Sequence, residues 1–301
     1  MISVIIPHFN QPQLLDVCLA SLAGQETGGH EVEIIVVDNG STALPADVLS
    51  RFPTARLLSE TETGPGPARN CGVRAAKGDI LAFVDADMTA GPGWLLAITA
   101  AFRDPAKVIL GGDVRISHRD DGRPTALEAY ESEFSFRMEH YIRRQNFTGT
   151  GNLAVRREVM AAVGPFAGMG VAEDGDWGHR ATAKGYPITW VPEMLTYHPA
   201  RTTFAELARK WDRHTAHDFE LRVAKPAGRL RWALRTVAMA LSPLPTLPRV
   251  MLSQRILGGM AGRLKAFAVL ARIRLYRAKR MASLVFAGNS NRMAGRWRDQ
   301  G

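Results

Sequence analysis

In the stretch Gly78-Asp-Ile-Leu-Ala-Phe-Val-Asp-Ala-Asp-Met88, a short apolar run leads directly into two carboxylates. The run from Ile80 to Val84 is too short for a typical helix and predicts a strand that is buried on both faces. Because side chains alternate along an extended backbone, Asp85 and Asp87 emerge on the same side, separated by Ala86. A cation between the two carboxylates would relieve their repulsion. Oxygen ligands favour Mg²⁺ or Mn²⁺, and substrate phosphates usually complete the coordination of these ions.

The residues before this stretch alternate between strand and helix patterns. Ile2 to Ile6 is β-branched and predicts a strand, and apolar residues at helical spacing follow Pro12. Val32 to Val37 predicts the next strand. Strand, helix and strand in this order predict an α/β fold with a doubly wound, mostly parallel sheet and helices on both faces. In such sheets the loops beyond the carboxyl ends of the strands carry the ligand.

A glycine-rich segment, Thr63-Gly-Pro-Gly-Pro-Ala-Arg-Asn-Cys-Gly-Val73, lies between the second and third of these strands. It lets the backbone approach a ligand closely and then enters a helix that carries Arg69. The segment is neither a Walker loop nor a dinucleotide fingerprint, because it lacks both glycine patterns. Arg69 is suited to a phosphate contact or to a surface cap, and the segment alone leaves both roles open.

Composition and charge set the broad class of the protein. The 301 residues have ordinary apolar and charged fractions, and the two cysteines have no C-x-x-C spacing. We see neither a signal-peptide pattern nor an apolar run long enough to span a membrane. Residues 222–301 contain 17 Lys and Arg against one acid, so they carry +16 while residues 1–221 carry −7. This asymmetry predicts an anionic partner for the basic segment, either a membrane surface or nucleic acid.

Four short motifs occur in a fixed order along the chain, and together they resemble a known family. They are Val4-Ile-Ile-Pro-His-Phe-Asn10, Val36-Val-Asp-Asn-Gly-Ser41, Gly66-Pro-Ala-Arg-Asn-Cys-Gly72 and Phe83-Val-Asp-Ala-Asp87. Their order and spacing resemble those of family 2 glycosyltransferases of the GT-A fold, over about the first 200 residues. The resemblance implies a nucleotide-sugar donor whose pocket is lined by Pro7, Phe9, Asn10, Asp38, Arg69, Asp85 and Ala86.

The same resemblance implies a metal site and a catalytic base. The metal, Mn²⁺ or Mg²⁺, would bind the donor diphosphate at Asp87, with Asp85 beside it. Many relatives place a histidine ligand where His198 stands, although a lone histidine also suits a structural role. Asp174 would be the catalytic base, and Glu173 and Asp176 are the carboxylates that compete with it for this role. The acceptor and diphosphate side would contain Asn152, Asp176, Trp177, Arg180 and Arg201.

The predicted activity is the transfer of one sugar from a nucleoside-diphosphate sugar to a hydroxyl acceptor, with inversion at the anomeric carbon. The chain lacks the Gln-x-x-Arg-Trp motif of processive relatives, which favours the addition of single sugars. Two other functions stay open. A sugar nucleotidyltransferase would need a glycine-rich, lysine-bearing loop that is missing after Ile6. A binding module for nucleotide sugars would have no need for Asp174.

The predicted organisation is a catalytic domain, residues 1–215, followed by a basic helical extension, residues 216–301. Within the catalytic domain, residues 1–110 form the nucleotide-sugar half and residues 111–215 the acceptor half. Prolines break the apolar portion from Val237 to Leu252, and Gly262 to Ala287 predicts a helix. The extension suits solvated helices on the catalytic domain or an interfacial anchor on anionic lipid, and interleaved apolar and basic residues favour the anchor over nucleic acid. We therefore expect a cytoplasmic protein that is peripheral on the inner face of the membrane, with a lipid-linked or envelope glycan as acceptor.

Overall fold

The computed structural model describes residues 1–223 and 228–287. Its sheet contains strands β1 (Ile2–His8), β2 (Val32–Asp38), β3 (Ala55–Ser59), β4 (Ile80–Val84), β5 (Thr89–Ala90), β6 (Ile109–Ser117), β7 (Asn152–Arg156) and β8 (Ile188–Pro199). The helices around the sheet are α1 (Pro12–Ala23), α2 (Ala46–Arg51), α3 (Pro65–Ala75), α4 (Trp94–Phe102), α6 (Met138–Gln145), α7 (Arg157–Val163) and α8 (Glu173–Ala183). The remaining helices are α5 (Ala126–Phe134), α9 (Phe204–Val223), α10 (Gly228–Leu241), α11 (Pro243–Leu252) and α12 (Gly259–Ala287).

The predicted α/β fold is confirmed, and the sheet is mixed. Its strand order is β3-β2-β1-β4-β7-β6-β8-β5. The first four strands in this order run parallel, whereas β7 runs antiparallel to both β4 and β6. The strand predicted from Ile80 to Val84 is β4, and all five of its residues are buried. Helices therefore connect the parallel strands, as the alternation of strand and helix patterns in the sequence predicts.

The register of the parallel strands brings their carboxyl ends to one edge. His8 at the end of β1 lies opposite Asp38 at the end of β2, and Ile5 lies opposite Phe83 in β4. Helix α3 packs closely on β1, because a Cβ atom at Gly72 would lie 2.4 Å from Ile5 Cγ2. The turns that follow β1, β2 and β4 consequently open at the same edge of the sheet, where ligands bind in folds of this kind.

The chain divides into two compact units whose bounds differ from those of the predicted domains. The first unit contains Met1–Arg115 and Arg137–Pro199, and the second contains Ile116–Phe136 and the described residues from Ala200 on. The helical unit therefore begins at residue 200 rather than 216 and includes α5. The physical reason is packing, since Tyr130 of α5 and Leu207 of α9 belong to the same apolar cluster as Leu270 of α12. The two predicted halves of the catalytic domain share one sheet, because β4 pairs with β7.

The helices of the second unit pack around α12. Helix α12 contains the predicted helix from Gly262 to Ala287, with Leu270 and Ile273 buried. The basic residues Lys265, Arg272 and Lys279 are exposed along this helix. No helix in residues 1–223 or 228–287 combines the length and apolarity needed to cross a membrane.

The region from Thr125 to Asn146 contains two helices, α5 and α6, and Thr125 closes a capping box with Glu128 at the start of α5. One local prediction needs adjustment. The prolines between Val237 and Leu252 interrupt the helix only once, between α10 and α11. Pro243 occupies the first turn of α11, where a missing N–H costs little, which explains why the helix restarts there.

Candidate active site

Arg69 is the central cation of the site in the first unit. Its side chain is only 3 % exposed, and its guanidinium lies 2.5 Å from Asp85 Oδ1 and 3.1 Å from Glu173 Oε1. Helix α3 presents Arg69, the end of β4 presents Asp85, and the first turn of α8 presents Glu173. Of the two roles left open for Arg69, the surface cap is thus excluded by burial. The arginine neutralises two carboxylates that would otherwise repel each other.

The two carboxylates of the Asp-x-Asp pair have different environments. Burial raises the pKa of the Asp85 carboxyl above its usual range, Arg69 opposes the rise, and the charge of Asp87 adds to it. Burial also acts to raise the pKa of Asp87, but a hydrogen bond and the charge of His198 outweigh burial and hold that pKa below its usual range. Gly151 lies beside this pair, since a Cβ atom there would lie 2.5 Å from Asp85 Oδ2. Because the pKa of Asp87 is lowered and that of Asp85 is raised, Asp87 is the more firmly ionised of the two carboxylates.

Strand pairing explains why His198 faces Asp87. Strands β5 and β8 run antiparallel with Thr89 opposite Tyr197, so the residues just before Thr89 lie alongside His198 and Pro199. His198 Nε2 lies 3.3 Å from Asp87 Oδ2, and its Nδ1 lies 2.6 Å from the carbonyl oxygen of Pro199. A carbonyl oxygen can only accept, so Nδ1 carries a proton. When Nε2 is also protonated, the ring donates to Asp87 and its charge lowers the pKa of that carboxyl, whereas in the neutral imidazole Nε2 presents a lone pair to the carboxylate.

This arrangement fits a divalent cation. A lone pair facing a carboxylate is favourable only if a proton or a metal ion lies between them, and metal-binding histidines characteristically donate their other N–H to a backbone carbonyl. The described residues contain no cluster of three or more His, Cys, Asp or Glu side chains arranged for a metal. Asp87 and His198 would supply two ligands, and phosphate oxygens and water commonly supply the rest for ions of this type. The predicted place of Asp85 among the ligands stays a prediction, because Arg69 occupies one of its oxygens.

Three carboxylates begin α8, and two of them have arginine partners. Glu173 pairs with Arg69, and Asp176 Oδ2 accepts from Arg180 Nε at 2.8 Å. Among the residues that the structure describes, Asp174 has no arginine partner, and its Oδ1 accepts only from the backbone N–H of Gly175, at 2.7 Å. Burial raises the pKa of Asp174, the Gly175 amide opposes the shift, and the charge of Glu173 adds to it. A carboxylate with a raised pKa and a free oxygen suits proton transfer.

The turns after β1 and β2 are tied together by hydrogen bonds. The imidazole of His8 lies 2.9 Å from Asp38 Oδ1, and both side chains are almost fully buried. Burial acts to raise the pKa of Asp38, yet hydrogen bonds from Ser41 and His8 hold it below its usual range. Asn10 adopts a left-handed backbone with φ of 52°, and its N–H donates to the Ser41 hydroxyl at 2.8 Å. These contacts hold the turns in place at the edge of the sheet.

The predicted donor residues gather at this edge, on the turns after β1, β2 and β4. Phe9 is 44 % exposed and Asn10 half-buried, whereas Ala86 is buried just beyond β4. An exposed aromatic ring next to a rigid turn offers a stacking surface for a planar base. Pro7 closes β1 immediately before His8. The binding role of these residues stays a prediction.

The predicted acceptor residues are engaged within the protein. Asn152 is fully buried, and its amide donates to the carbonyls of Asp113 and Met194 and accepts from Trp94 Nε1. Trp177 is buried, and its indole donates to the carbonyl of Gly164 at 3.0 Å.

The two arginines of that group are engaged as well. Besides its pair with Asp176, Arg180 donates to the carbonyls of Val163 and Pro165. In the second unit, Arg201 forms an ion pair with the buried Glu131, and its backbone N–H donates to the same carboxylate at 2.8 Å. The place of these four residues on the acceptor side stays a prediction.

Sequence reasoning missed two members of this arrangement. His8 was given no chemistry, although its place at the end of β1 opposite Asp38 follows once β1 and β2 are aligned in register. Trp94 fixes the amide of Asn152, and no motif marks it. The sequence also placed Glu173 near the base without revealing that it binds Arg69, since the two residues are 104 positions apart.

Removing the charge of Arg69 is expected to destabilise the first unit. Arg69→Met leaves Asp85 and Glu173 without their shared cation, so we expect a loss of about 3 kcal/mol in the free energy of unfolding at neutral pH. Without the arginine the pKa of the buried Asp85 rises further, the folded variant binds more protons than the unfolded chain, and the loss therefore shrinks as pH falls. Urea denaturation at pH 8 and pH 5 measures it. Arg74→Met is the matched control, because Arg74 lies on the same helix, is 66 % exposed and pairs with Glu60 at the surface. We expect the control to cost less than about 1 kcal/mol, and an equally small loss for Arg69→Met would contradict the central role of this cation.

Comparison with known proteins identifies the class of enzyme. The family model described as glycosyl transferase family 2 matches residues 3–164, and the chain belongs to this family. Glycosyltransferase AglE of Haloferax volcanii is 34 % identical over 215 residues, which cover 69 % of this chain and 70 % of that protein. The protein is thus a glycosyltransferase that uses a nucleotide sugar.

Solved structures support the same fold. The mannosyltransferase PcManGT of Pyrobaculum calidifontis, solved with GDP-Man and Mn²⁺, superposes with a TM-score of 0.60 at 17 % identity, covering 96 % of this chain and 87 % of that one. Glucosyl-3-phosphoglycerate synthase of Mycobacterium tuberculosis, solved with Mn²⁺, UDP-Glc and phosphoglyceric acid, gives a TM-score of 0.52 at 21 % identity over 72 % of this chain and 77 % of that one. The fold is therefore of the GT-A type, as the sequence motifs predicted.

Proposed function

We propose that the protein transfers a single sugar, with inversion, from a nucleoside-diphosphate sugar to a hydroxyl acceptor, and that Asp174 is the general base. One observation carries the proposal. Of the three carboxylates at the start of α8, Glu173 and Asp176 are paired with arginines, whereas Asp174 has no such partner among the described residues. An acceptor hydroxyl is a poor nucleophile until a positioned group removes its proton, and Asp174 keeps an oxygen available for that task.

The neighbours of Asp174 support its role. Gly175 N–H holds one carboxylate oxygen, which orients the other, and the raised pKa makes the carboxylate a stronger base than an exposed aspartate. Glu173 acts through Arg69 as a positioning residue, because it fixes the guanidinium that also contacts Asp85. The proton of the acceptor hydroxyl passes to Asp174 as its oxygen bonds to the anomeric carbon. Attack from the face opposite the leaving diphosphate inverts that carbon, so no covalent enzyme intermediate is needed.

For the donor, we propose a pocket at the carboxyl ends of β1, β2 and β4. Phe9 offers a stacking face for the base, the ionised Asp38 offers an acceptor, and Arg69 offers a cation for the sugar or diphosphate. Asp87 and His198 would hold Mn²⁺ or Mg²⁺, which stabilises the charge that develops on the departing diphosphate. The two solved neighbours were crystallised with GDP-mannose and UDP-glucose, so both bases belong in a donor screen.

For the acceptor, we propose a lipid-linked or envelope glycan at an anionic membrane surface. The observation behind this is the charge of the last three helices, since residues 228–287 contain no Asp or Glu. A surface of one sign is attracted to anionic lipid at roughly 1 kcal/mol for each Lys or Arg close to it. Exposed leucines lie among these cations, which favours lipid over nucleic acid as the partner.

The experiment that tests the transferase is product analysis. Purified protein with Mn²⁺ is incubated with UDP- and GDP-sugars, and the released nucleotide is identified. A transferase releases nucleoside diphosphate, and release accelerates when an acceptor is added. Formation of pyrophosphate would identify a sugar nucleotidyltransferase instead, and binding of donor without any release in the presence of glycan acceptors would identify a binding module.

A further inference from the structure

The second unit contains a cavity of about 350 Å³ that the proposed catalytic function does not use. It lies between α9, α10 and α12, and its polar lining residues include Thr215, Arg235, Ser242, Arg274 and Arg277. Trp232, Met239 and Met281 supply apolar walls. The volume is within the range of small-ligand pockets in proteins, and the mixture of cations and apolar walls suits an amphiphile.

The cavity has more positive than negative charge. Among the lining residues that the structure describes, three arginines stand against a single carboxylate, Asp218, which lies 3.9 Å from Arg235. Burial, followed by the charge of Arg274, lowers the pKa of Arg277 to about 10. Burial likewise lowers the pKa of Arg274, whose Nη1 donates to the Ser242 hydroxyl at 2.6 Å. The lowered pKa values mean that the charged forms of Arg274 and Arg277 are poorly stabilised in the cavity. A bound anion would stabilise them.

Two buried polar atoms at the cavity lack partners within residues 1–223 and 228–287. They are the hydroxyl oxygen of Thr215, whose residue is 3 % exposed, and Nε of Arg277. Buried polar groups are normally hydrogen-bonded, so each unmatched group calls for a partner. Arg277 can only donate, and Thr215 can donate. The missing partner is therefore rich in acceptor oxygens, as a phosphate group is.

Helix α10 lines the cavity and also exposes an apolar ridge. Leu230, Leu234, Val237 and Leu241 recur at intervals of four and three residues and are 58–66 % exposed. Their spacing places them on one side of the helix. Of the α10 residues that line the cavity, Ala238 lies next to the ridge, whereas Trp232, Arg235 and Met239 lie on the opposite side of the helix. Helix α10 thus contributes Arg235 to the cavity and the exposed leucine ridge to its outer side, and the other donors are Thr215 of α9 and Arg274 and Arg277 of α12.

We propose that this cavity binds the phosphate group of an anionic phospholipid while the ridge of α10 lies among the acyl chains. The sequence predicted an anchor in the basic extension as a whole, residues 216–301, and the structure exposes on α10 the apolar face that an interfacial helix needs. A second copy of the chain that met this face with its own residues 228–287 is a poor occupant, because these residues carry no acid and like charges would meet. The inference concerns a site outside the catalytic one and needs no donor sugar.

The test is co-sedimentation of the full chain with vesicles of phosphatidylcholine containing about 30 % phosphatidic acid, compared with vesicles of phosphatidylcholine alone. We expect the double variant Arg274→Gln/Arg277→Gln to lower the affinity for the acidic vesicles at least about tenfold. The matched control, Arg272→Gln/Lys279→Gln, removes the same charge from exposed positions of α12 outside the cavity, and we expect less than about a twofold change. Leu234→Ser/Val237→Ser removes part of the ridge and should also weaken binding at least about tenfold.

Several outcomes overturn the proposal. Equal losses in the arginine variant and its control would mean unspecific attraction to basic charge. Stabilisation of the wild type by inorganic phosphate over chloride at equal ionic strength, without vesicle binding, would identify a free phosphate ligand instead of a lipid. Binding to duplex DNA in place of vesicles would identify nucleic acid as the partner. If the arginine variant fails to fold, the nearly isosteric Thr215→Val, which removes only the unpartnered hydroxyl, should weaken vesicle binding about threefold, and unchanged binding would contradict the site.

Discussion

Asp174→Asn is expected to reduce sugar transfer at least about a hundredfold while donor affinity stays near that of the wild type. The substitution keeps the size and polarity of the side chain but removes its charge, so the acceptor hydroxyl loses its proton acceptor. Positioned general-base catalysis contributes about 10²- to 10⁴-fold, or roughly 3 to 5 kcal/mol of the barrier. Single-turnover transfer and calorimetric donor binding, measured on the same preparation, separate the two effects.

The neighbouring carboxylates provide the controls for Asp174. Asp176→Asn weakens a pair with Arg180 but leaves the proposed base untouched, so its cost in transfer should be smaller. Glu173→Gln removes an ion-pair partner of Arg69. Its loss of sugar transfer should lie between those of Asp174→Asn and Asp176→Asn, and part of the loss should come from weaker donor binding. Full transfer by Asp174→Asn, together with an inactive Glu173→Gln or Asp176→Asn, would move the base to another carboxylate. Full transfer by all three would rule out the mechanism.

The pH profile of transfer follows from the pKa of Asp174. The base works in its ionised form, so transfer rises with pH as Asp174 loses its proton. Because burial raises its pKa, the acidic limb of kcat/KM should lie above the value of about 3.9 for an ordinary aspartate. A limb at or below that value would contradict the environment described for Asp174.

The sheet and the donor edge were predictable because local sequence fixes them. The strand from Ile80 to Val84 has the predicted bounds, since a five-residue apolar run between a glycine turn and two carboxylates has no helical alternative. The positions of Asp38 and Asp85 followed from strand order, because the carboxyl ends of parallel strands meet at one edge. Motif spacing was sufficient for this part of the site.

Tertiary contacts between distant segments could not be predicted in this way. Arg69 is buried between Asp85 and Glu173, which lie 16 and 104 positions away along the chain. No local sequence pattern distinguishes such a buried arginine from one that caps the protein surface. The sequence listed the three carboxylates of α8, but only packing shows which one lacks an arginine.

The basic extension shows the same limit. Both α10 and α12 mix leucines with arginines, and periodicity alone did not tell which face is buried. The structure buries Leu270 and Ile273 of α12 and exposes the leucines of α10. Helix α12 is buried because it packs against α5 and α9, and α10 is left with its leucines exposed. The local sequence of α10 and α12 does not encode these contacts.

Asp87→Ala is expected to abolish Mn²⁺-dependent binding of the donor while the fold stays intact. In the wild type, His198 Nε2 faces Asp87 Oδ2 at 3.3 Å, and an ion between them would gain a hard oxygen and an imidazole nitrogen. The variant loses the charged ligand, and the imidazole alone is a weak site. It also relieves a like charge beside Asp85, so the metal-free protein should lose little stability.

Thermal denaturation with and without Mn²⁺ measures this loss directly. At about 100 times its dissociation constant, the donor should stabilise the wild type by roughly 2.7 kcal/mol when Mn²⁺ is present, and should stabilise Asp87→Ala by close to nothing. Asp47→Ala, an exposed carboxylate in the first turn of α2, is the control and should behave as the wild type. His198→Gln keeps a neutral polar side chain and should weaken the Mn²⁺ effect without eliminating it, because Asp87 remains. If Asp87→Ala responds to donor and Mn²⁺ as the wild type does, the metal is bound elsewhere, and the opposition of carboxylate and imidazole reflects only a protonated His198.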